Sequence, residues 1–263
     1  MAVNAPEVVN NKIVLGSGYL YFDEEDANGD LQGEVYMGDT PGFTLNVSTE
    51  KVEIDGSDTP VAEKVLTVTK SVTRAGSVAC RNFNEANQAL FVMGVVETVT
   101  QTATPVADET HVVDQGKYYQ LGRSTSNPTG VRNVGSVSVA GSGGTPSYTV
   151  DTDYVVHAEE GRIYIVEGGG ISDGTTIEVD YTPAANSRTR VKATGDRAKT
   201  GALHFVADNT SGENVDIYIP KCEISAAGDA ALKSRDNVIE LSFDVNIQTR
   251  TGYAQVYLDG EPA

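Results

Sequence analysis

The chain has 263 residues with 37 Asp plus Glu against 19 Lys plus Arg, a formal net charge of -18. No basic stripe survives that balance, which argues against tight nucleic-acid binding. Trp is absent, Gly numbers 27 and hydrophobic residues make up 39%, a composition suited to half-buried strands joined by tight turns.

Residues Met1–Asn11 are small and polar and read as an arm, either disordered or ordered by a neighbouring subunit. Nothing in the N-terminal stretch resembles a signal peptide, and no apolar run is long enough for a membrane span. Ile13–Phe22 is the first expected strand. The acidic turn from Asp23 to Asp30 fails the calcium-loop template: counted from Asp26 the sixth position is Leu31 and the twelfth Met37, and counted from Asp23 the sixth is Asn28. It therefore reads as a solvated hairpin turn, with no metal site. A second strand begins at Glu34, and Gly38–Gly42 is a turn or bulge.

Phe43–Ile54 and Lys64–Ala79 alternate apolar and polar residues around a tip of Asp55, Gly56, Ser57, Asp58, Thr59 and Pro60. The pair is long for a globular hairpin, whose strands run to about five or six residues. Such an arm either crosses its own domain or reaches a neighbour. Asn82–Met93 is the one good helix, with Asn82 or Asn84 as N-cap and Glu85 in the first turn. Ala86, Ala89, Leu90 and Met93 would form its apolar stripe, and Gly94 a left-handed stop.

Val95–Val113 is Thr- and Val-rich strand. From Gly116 to Thr182 the chain shifts to short strands with glycine turns, read as a small inserted or peripheral β segment. Gly168-Gly169-Gly170 lacks the Lys-Ser/Thr and the helix that a phosphate loop needs. Arg188, Arg190, Lys192, Arg197 and Lys199 are the densest positive run, without aromatic residues to stack bases, and read as salt-bridged or solvated strand edge. Strands follow over Gly201–Ala207, Val215–Ser225 (with Pro220 marking an edge or bulge), Val238–Gln248 and Tyr253–Leu258. In Val238–Gln248, Ile239, Leu241, Phe243, Val245 and Ile247 share one face, and Glu240, Ser242, Asp244, Asn246 and Gln248 the other.

The three histidines lack metal-ligand spacing, no Ser sits in a GxSxG elbow, and no catalytic or cofactor-binding constellation can be assembled. Cys80 and Cys222 read as free buried thiols rather than a disulfide framework.

The GDTPGFTLNVSTE strand, the Thr-rich return strand and the NFNEANQALFVMG helix resemble the tail tube (major tail) proteins of phages with long non-contractile tails. The late segment TGALHFVADNTSGENVDIYIPKCEISAAGDAALKSRDNVIELSFDV is similar to the closing portion of those proteins, and DTDYVVHAEEGRIYIVEGGGISDGTTIEVDY to a segment recurring in phage tail proteins.

The resemblance implies a mainly-β tail-tube fold: two packed antiparallel sheets forming a sandwich or partial barrel, one flanking short helix and a long hairpin arm. Residues 1–115 and 188–263 would form it, with 116–187 inserted or peripheral. It implies homo-hexameric rings stacked into a conduit for genome DNA, which passes without specific binding. The partners would be tail tip, terminator and tape-measure proteins, and the location the virion after synthesis in the host cytoplasm. The hairpin tip would touch an adjacent ring or subunit. Because carboxylates repel a polyanion, some of Glu34, Asp39, Glu240 and Asp244 are expected to face the lumen. The competing readings are a contractile-tail or type VI-like tube protein, which shares the ring logic, and a β-sandwich adhesin or binding module.

Overall fold

The computed structural model describes residues 13–58, 61, 63–194 and 198–260. The fold is mainly β, with one short helix and antiparallel sheets throughout. The chain divides into two compact units: Met1–Glu97 with Arg190–Ala263, and Thr98–Thr189.

The first unit is built on an eight-stranded sheet. Its strands are β1 (Gly18–Glu24), β2 (Val35–Tyr36), β3 (Gly42–Asp55), β4 (Lys64–Cys80), β13 (Lys199–Ala207), β14 (Val215–Ala226), β15 (Leu241–Ile247) and β16 (Tyr257–Gly260). The order is β2-β1-β13-β14-β15-β4-β3, with β16 also paired to β14. The clean alternation of β15 turns Leu241, Phe243, Val245 and Ile247 onto the core. There they join Leu20, Phe22, Val78, Leu203, Ile219 and Ile224. The sheet curls around this core. Strands β13 and β3 are four steps apart, about 19 Å in a flat sheet, yet the rings of Phe43 on β3 and Phe205 on β13 lie 5.9 Å apart. That curvature is the partial-barrel geometry.

The first strand starts at Gly18, not Ile13; the residues before it contribute one bridge, Leu15 to Ser211. Pro220 lies where the β13–β14 register shifts, between the pairs Gly201↔Cys222 and Leu203↔Ile219, the bulge position that a residue lacking an N–H tolerates. The connection from β14 to β15 contains no helical turn. In the acidic turn, the Asp26 carboxylate accepts from the N–H groups of Asn28 (2.8 Å) and Asp30 (3.0 Å). Those bonds, that from Asp30 foremost, hold its pKa below the usual value.

Helix α1 (Glu85–Phe91) is capped by Asn84, whose side chain accepts from the Asn87 N–H at 2.8 Å. Two expectations fail here. Ala86 is exposed, and the buried stripe is Asn87, Ala89 and Leu90. The left-handed residue at the C-terminus is Met93 (φ 49°), not Gly94. Gly94 is required for a different reason: a Cβ there would sit 2.5 Å from the Lys192 carbonyl oxygen.

The second unit comprises two three-stranded sheets. One has the order β6 (Val106–Val113), β11 (Thr175–Pro183), β8 (Val134–Gly141); the other β7 (Tyr118–Gln120), β10 (Arg162–Ile165), β9 (Tyr154–His157). They share a core of Leu121, Ile163, Ile165, Ile171, Ile177 and Val179. The unit therefore begins at Thr98 rather than at residue 116. The reason is pairing: β6 forms a ladder with β11, so residues 106–113 belong with the strands that follow them. The chain enters along β5 (Val95–Gln101) and leaves along β12 (Asn186–Lys192), and these two strands pair with each other.

Candidate assembly surfaces

Hairpin β3–β4 is paired along its whole length, from Gly42↔Ala79 to Asp55↔Lys64. β15 covers the flank of β4 only from Cys80 to Ala75. Nine residues of β3 and eleven of β4, Val47–Asp55 and Lys64–Arg74, thus project as a two-stranded ribbon, roughly 30 Å long at about 3.3 Å per residue. β3 is the edge of the sheet, so one side of its ladder carries no strand partner among the described residues. Such an edge is an adhesive surface unless something covers it.

The open ribbon also carries exposed apolar side chains. Near the base Leu45 and Val47 share a face. Beyond Glu50 the apolar positions of β3 move to the alternate residues, Val52 and Ile54. The register shift between Glu50 and Lys51 leaves Lys70 of β4 without an opposite residue, and brings Val68 opposite Val52 and Leu66 opposite Ile54. All four are exposed. The ion pairs Lys64–Glu53 (2.5 Å) and Lys70–Glu50 (2.9 Å) bridge the two strands. Of the expected tip residues, Asp55 ends β3, Gly56 donates to the Glu63 carbonyl at 2.8 Å, and Ser57 and Asp58 continue the turn. Thr59 and Pro60 lie outside the described residues, as do Met1–Asn11 and Arg197.

The second surface is the outer face of β15, β4 and β3. Asp244 is flanked in register by Ser225 on one side and Ser77 on the other, and Thr44 bonds to Ser77 at 2.7 Å. Asn246 and Asn46 extend the same polar face. Its side chains are small and hydrogen-bonding, and Asp244 is an exposed carboxylate.

The four acidic residues singled out from the sequence do not form one group. Arg81 joins two of them: its Nε pairs with Glu240 at 3.2 Å and its backbone N–H donates to the Asp39 carbonyl oxygen at 2.8 Å. Asp244 stands on the face just described. Glu34 precedes β2 at the other margin of the sheet and pairs with His204 at 2.9 Å. The basic run is likewise engaged within the chain: Arg190 with Glu97 at 2.6 Å and Lys199 with Glu24.

The two thiols sit opposite the two ends of β15, Cys80 across from Leu241 and Cys222 across from Ile247. Six residues of strand separate them by about 20 Å, far beyond the roughly 7 Å a disulfide spans. Burial raises both thiol pKa values, that of Cys222 to about 12.

In the second unit Glu109 collects four hydrogen bonds: two from the Gly122 N–H at 3.0 Å, one from Tyr181 Oη and a contact to His111 Nε2 at 2.9 Å. Burial pulls its pKa upward, but the bonds from His111, Tyr181 and Gly122 outweigh that and hold it below the usual carboxylate value. Burial, and after it the same carboxylate, raises the pKa of the Tyr181 phenol. The triple-glycine turn has its N–H groups in use, Gly168 to Gln115 (3.0 Å) and Gly170 to Asp153 (2.7 Å). Among the described residues no group of three or more His, Cys, Asp or Glu is placed to hold a metal ion, and no helix is long and apolar enough to cross a membrane.

Residues 13–251 match the family model described as "Protein of unknown function UCP028589". The chain belongs to that family. No curated protein matches it. The family match covers both units and ends before β16, so the arm and the polar face of β15 lie within the matched span.

Proposed function

We propose that this family member is the tube subunit of a long phage tail, a structural protein rather than an enzyme. In this reading six copies close into a ring, and rings stack into a conduit for genome DNA. The observation that carries the reading is the unfinished sheet: a curled eight-stranded sheet ends in a long, edge-exposed ribbon with exposed apolar side chains on it. A soluble monomer would be burdened by that ribbon, whereas a subunit joined to its copies would use it.

The outer face of β15, β4 and β3 forms the bore. Its small polar side chains leave DNA nothing to grip, and Asp244, with Asp39 and Glu240 around Arg81, repels the phosphates. Glu34 is omitted from the bore because it sits at the far margin of the sheet. The resemblance of the hairpin, helix and closing segments to tail tube proteins supports the same assignment. Tip, terminator and tape-measure proteins would be its partners in the virion.

Negative-stain microscopy of the concentrated, purified chain tests this. Hollow tubes or six-fold rings are expected. A chain that remains monomeric at every concentration and ionic strength refutes the reading.

A further inference from the structure

A row of aromatic side chains crosses the outside of the sheet on the side away from β3. Read in register, it is Tyr36, Tyr21, His204, Tyr218 and Tyr257, contributed in turn by β2, β1, β13, β14 and β16. Three of the four consecutive pairs are in ring contact, Tyr21 and Tyr36 at 5.5 Å, His204 and Tyr218 at 5.7 Å, and Tyr218 and Tyr257 at 6.4 Å between centroids, while Tyr21 and His204 are neighbours in register. The core does not use this row, because the alternate residues Leu203 and Ile219 are the ones turned inward. Tyr36 and Tyr257 are 45% and 40% exposed. A cavity of about 550 Å³ runs beside Tyr218 and Tyr257, edged by Tyr253, Asp216 and Asp259. Exposed tyrosines concentrated this way have the composition of a protein-protein contact, where aromatic side chains carry most of the binding energy.

We propose that the hairpin arm of one copy lies across the tyrosine row of another, seating Val52, Ile54, Leu66 and Val68 against the rings. This rests on the reading that the chain assembles with itself, and it names the surface that receives the arm. Three observations carry it. The chemistry matches, since β-branched side chains against aromatic rings are among the favourable pairings on sheet surfaces. The sizes match: the row spans four strand spacings, about 19 Å, within the reach of the roughly 30 Å ribbon. The ribbon's approximately twenty residues also approach the 20–30 that each partner gives to a standard interface. The topology matches as well. Arm and row belong to different strands of one unit, so the contact is heterologous and each copy can give one arm and receive another, which propagates or closes a ring. The register shift in β4 has a purpose on this account, because it sets Val68 opposite Val52 and Leu66 opposite Ile54 on one face.

The absence of Trp from the chain provides the probe. Leu66→Trp makes the arm the sole source of tryptophan emission, which is expected to shift to the blue as the protein associates in a sedimentation series. Tyr36→Ser with Tyr257→Ser is expected to weaken that association on the order of thirtyfold and to keep the emission red, with circular dichroism checking that the fold persists. A photo-crosslinking residue at position 54 should be captured by peptides carrying Tyr36, Tyr218 or Tyr257 of a second copy. Capture by any other segment, or by none at concentrations where the protein associates, overturns the proposal, as does a chain that never associates. Tubes with the crosslink elsewhere defeat only this inference. Non-tubular oligomers with the expected crosslink defeat only the tube.

Discussion

Replacing Asn87 tests whether the helix is held to the sheet by hydrogen bonds rather than by apolar area. The side chain is 2% exposed, and its amide donates to the carbonyl oxygens of Met37 and Asn82, each at 2.8 Å. Asn87→Ala strips both acceptors of that donor. An unsatisfied buried polar group costs about 1–3 kcal/mol. The Cys80 thiol, 3.1 Å from the Met37 oxygen, remains as a weak substitute. The loss should therefore fall in the lower half of the combined range of about 2–6 kcal/mol, about 3 kcal/mol. For a unit of this size that is a drop in melting temperature of about 6–12 °C. Asn87→Asp is the sharper variant: nearly the same shape, but with an acceptor facing two acceptors. It is expected to lose at least as much as alanine at neutral pH. Scanning calorimetry and urea titration of the three proteins measure this. An aspartate variant within about 0.5 kcal/mol of wild type would show that the amide is not what anchors the helix.

Asp244→Lys should leave stability within about 0.5 kcal/mol, since the side chain is exposed, yet slow DNA release from assembled particles. Six lysines per ring contacting phosphates would give a salt dependence of about five in log K per log salt; release that is unchanged and salt-independent refutes the acidic bore. The depressed Glu109 pKa means its contribution is present above the unfolded value, near 4.5, and is lost as pH falls through the lower folded value. Wild type is accordingly expected to lose stability below about pH 4.5, and Glu109→Gln to be less stable at pH 7 with a flatter acid profile in melting experiments. Cys222, fully buried with its pKa raised to about 12, should resist alkylation until urea unfolds the protein; rapid labelling of the native chain would contradict the packing.

Much of the fold was written locally. The alternation of residues 238–248 identified the inward and outward faces of β15, and a cap at Asn82 or Asn84 with Glu85 after it placed the start of the helix to within a few residues, because both depend on neighbours in sequence. The long hairpin was legible for the same reason. What escaped depended on residues far apart. Asn87 lies outside the expected stripe of Ala86, Ala89, Leu90 and Met93 yet is buried, and the carbonyls of Met37 and Asn82 explain it. The unit boundary moved to Thr98 because β6 pairs with a strand that begins more than sixty residues later. The aromatic row draws one residue from each of its strands, so no window of sequence displays it. Of the acidic candidates, Glu240 and Asp244 were chosen from the polar face of residues 238–248 and Glu34 and Asp39 by charge, and long-range pairing then separated Glu34 from Asp39 and Glu240.

The pairing of β5 with β12 means that the second unit departs from and returns to neighbouring points of the chain. A short reverse turn could bridge those points with little closure entropy. The intervening ninety or so residues therefore behave as a removable cassette: one that a lineage could drop, enlarge or exchange for another folded module, or that a protein engineer could replace with cargo, while the arm-bearing sheet continues to fold from its own two segments.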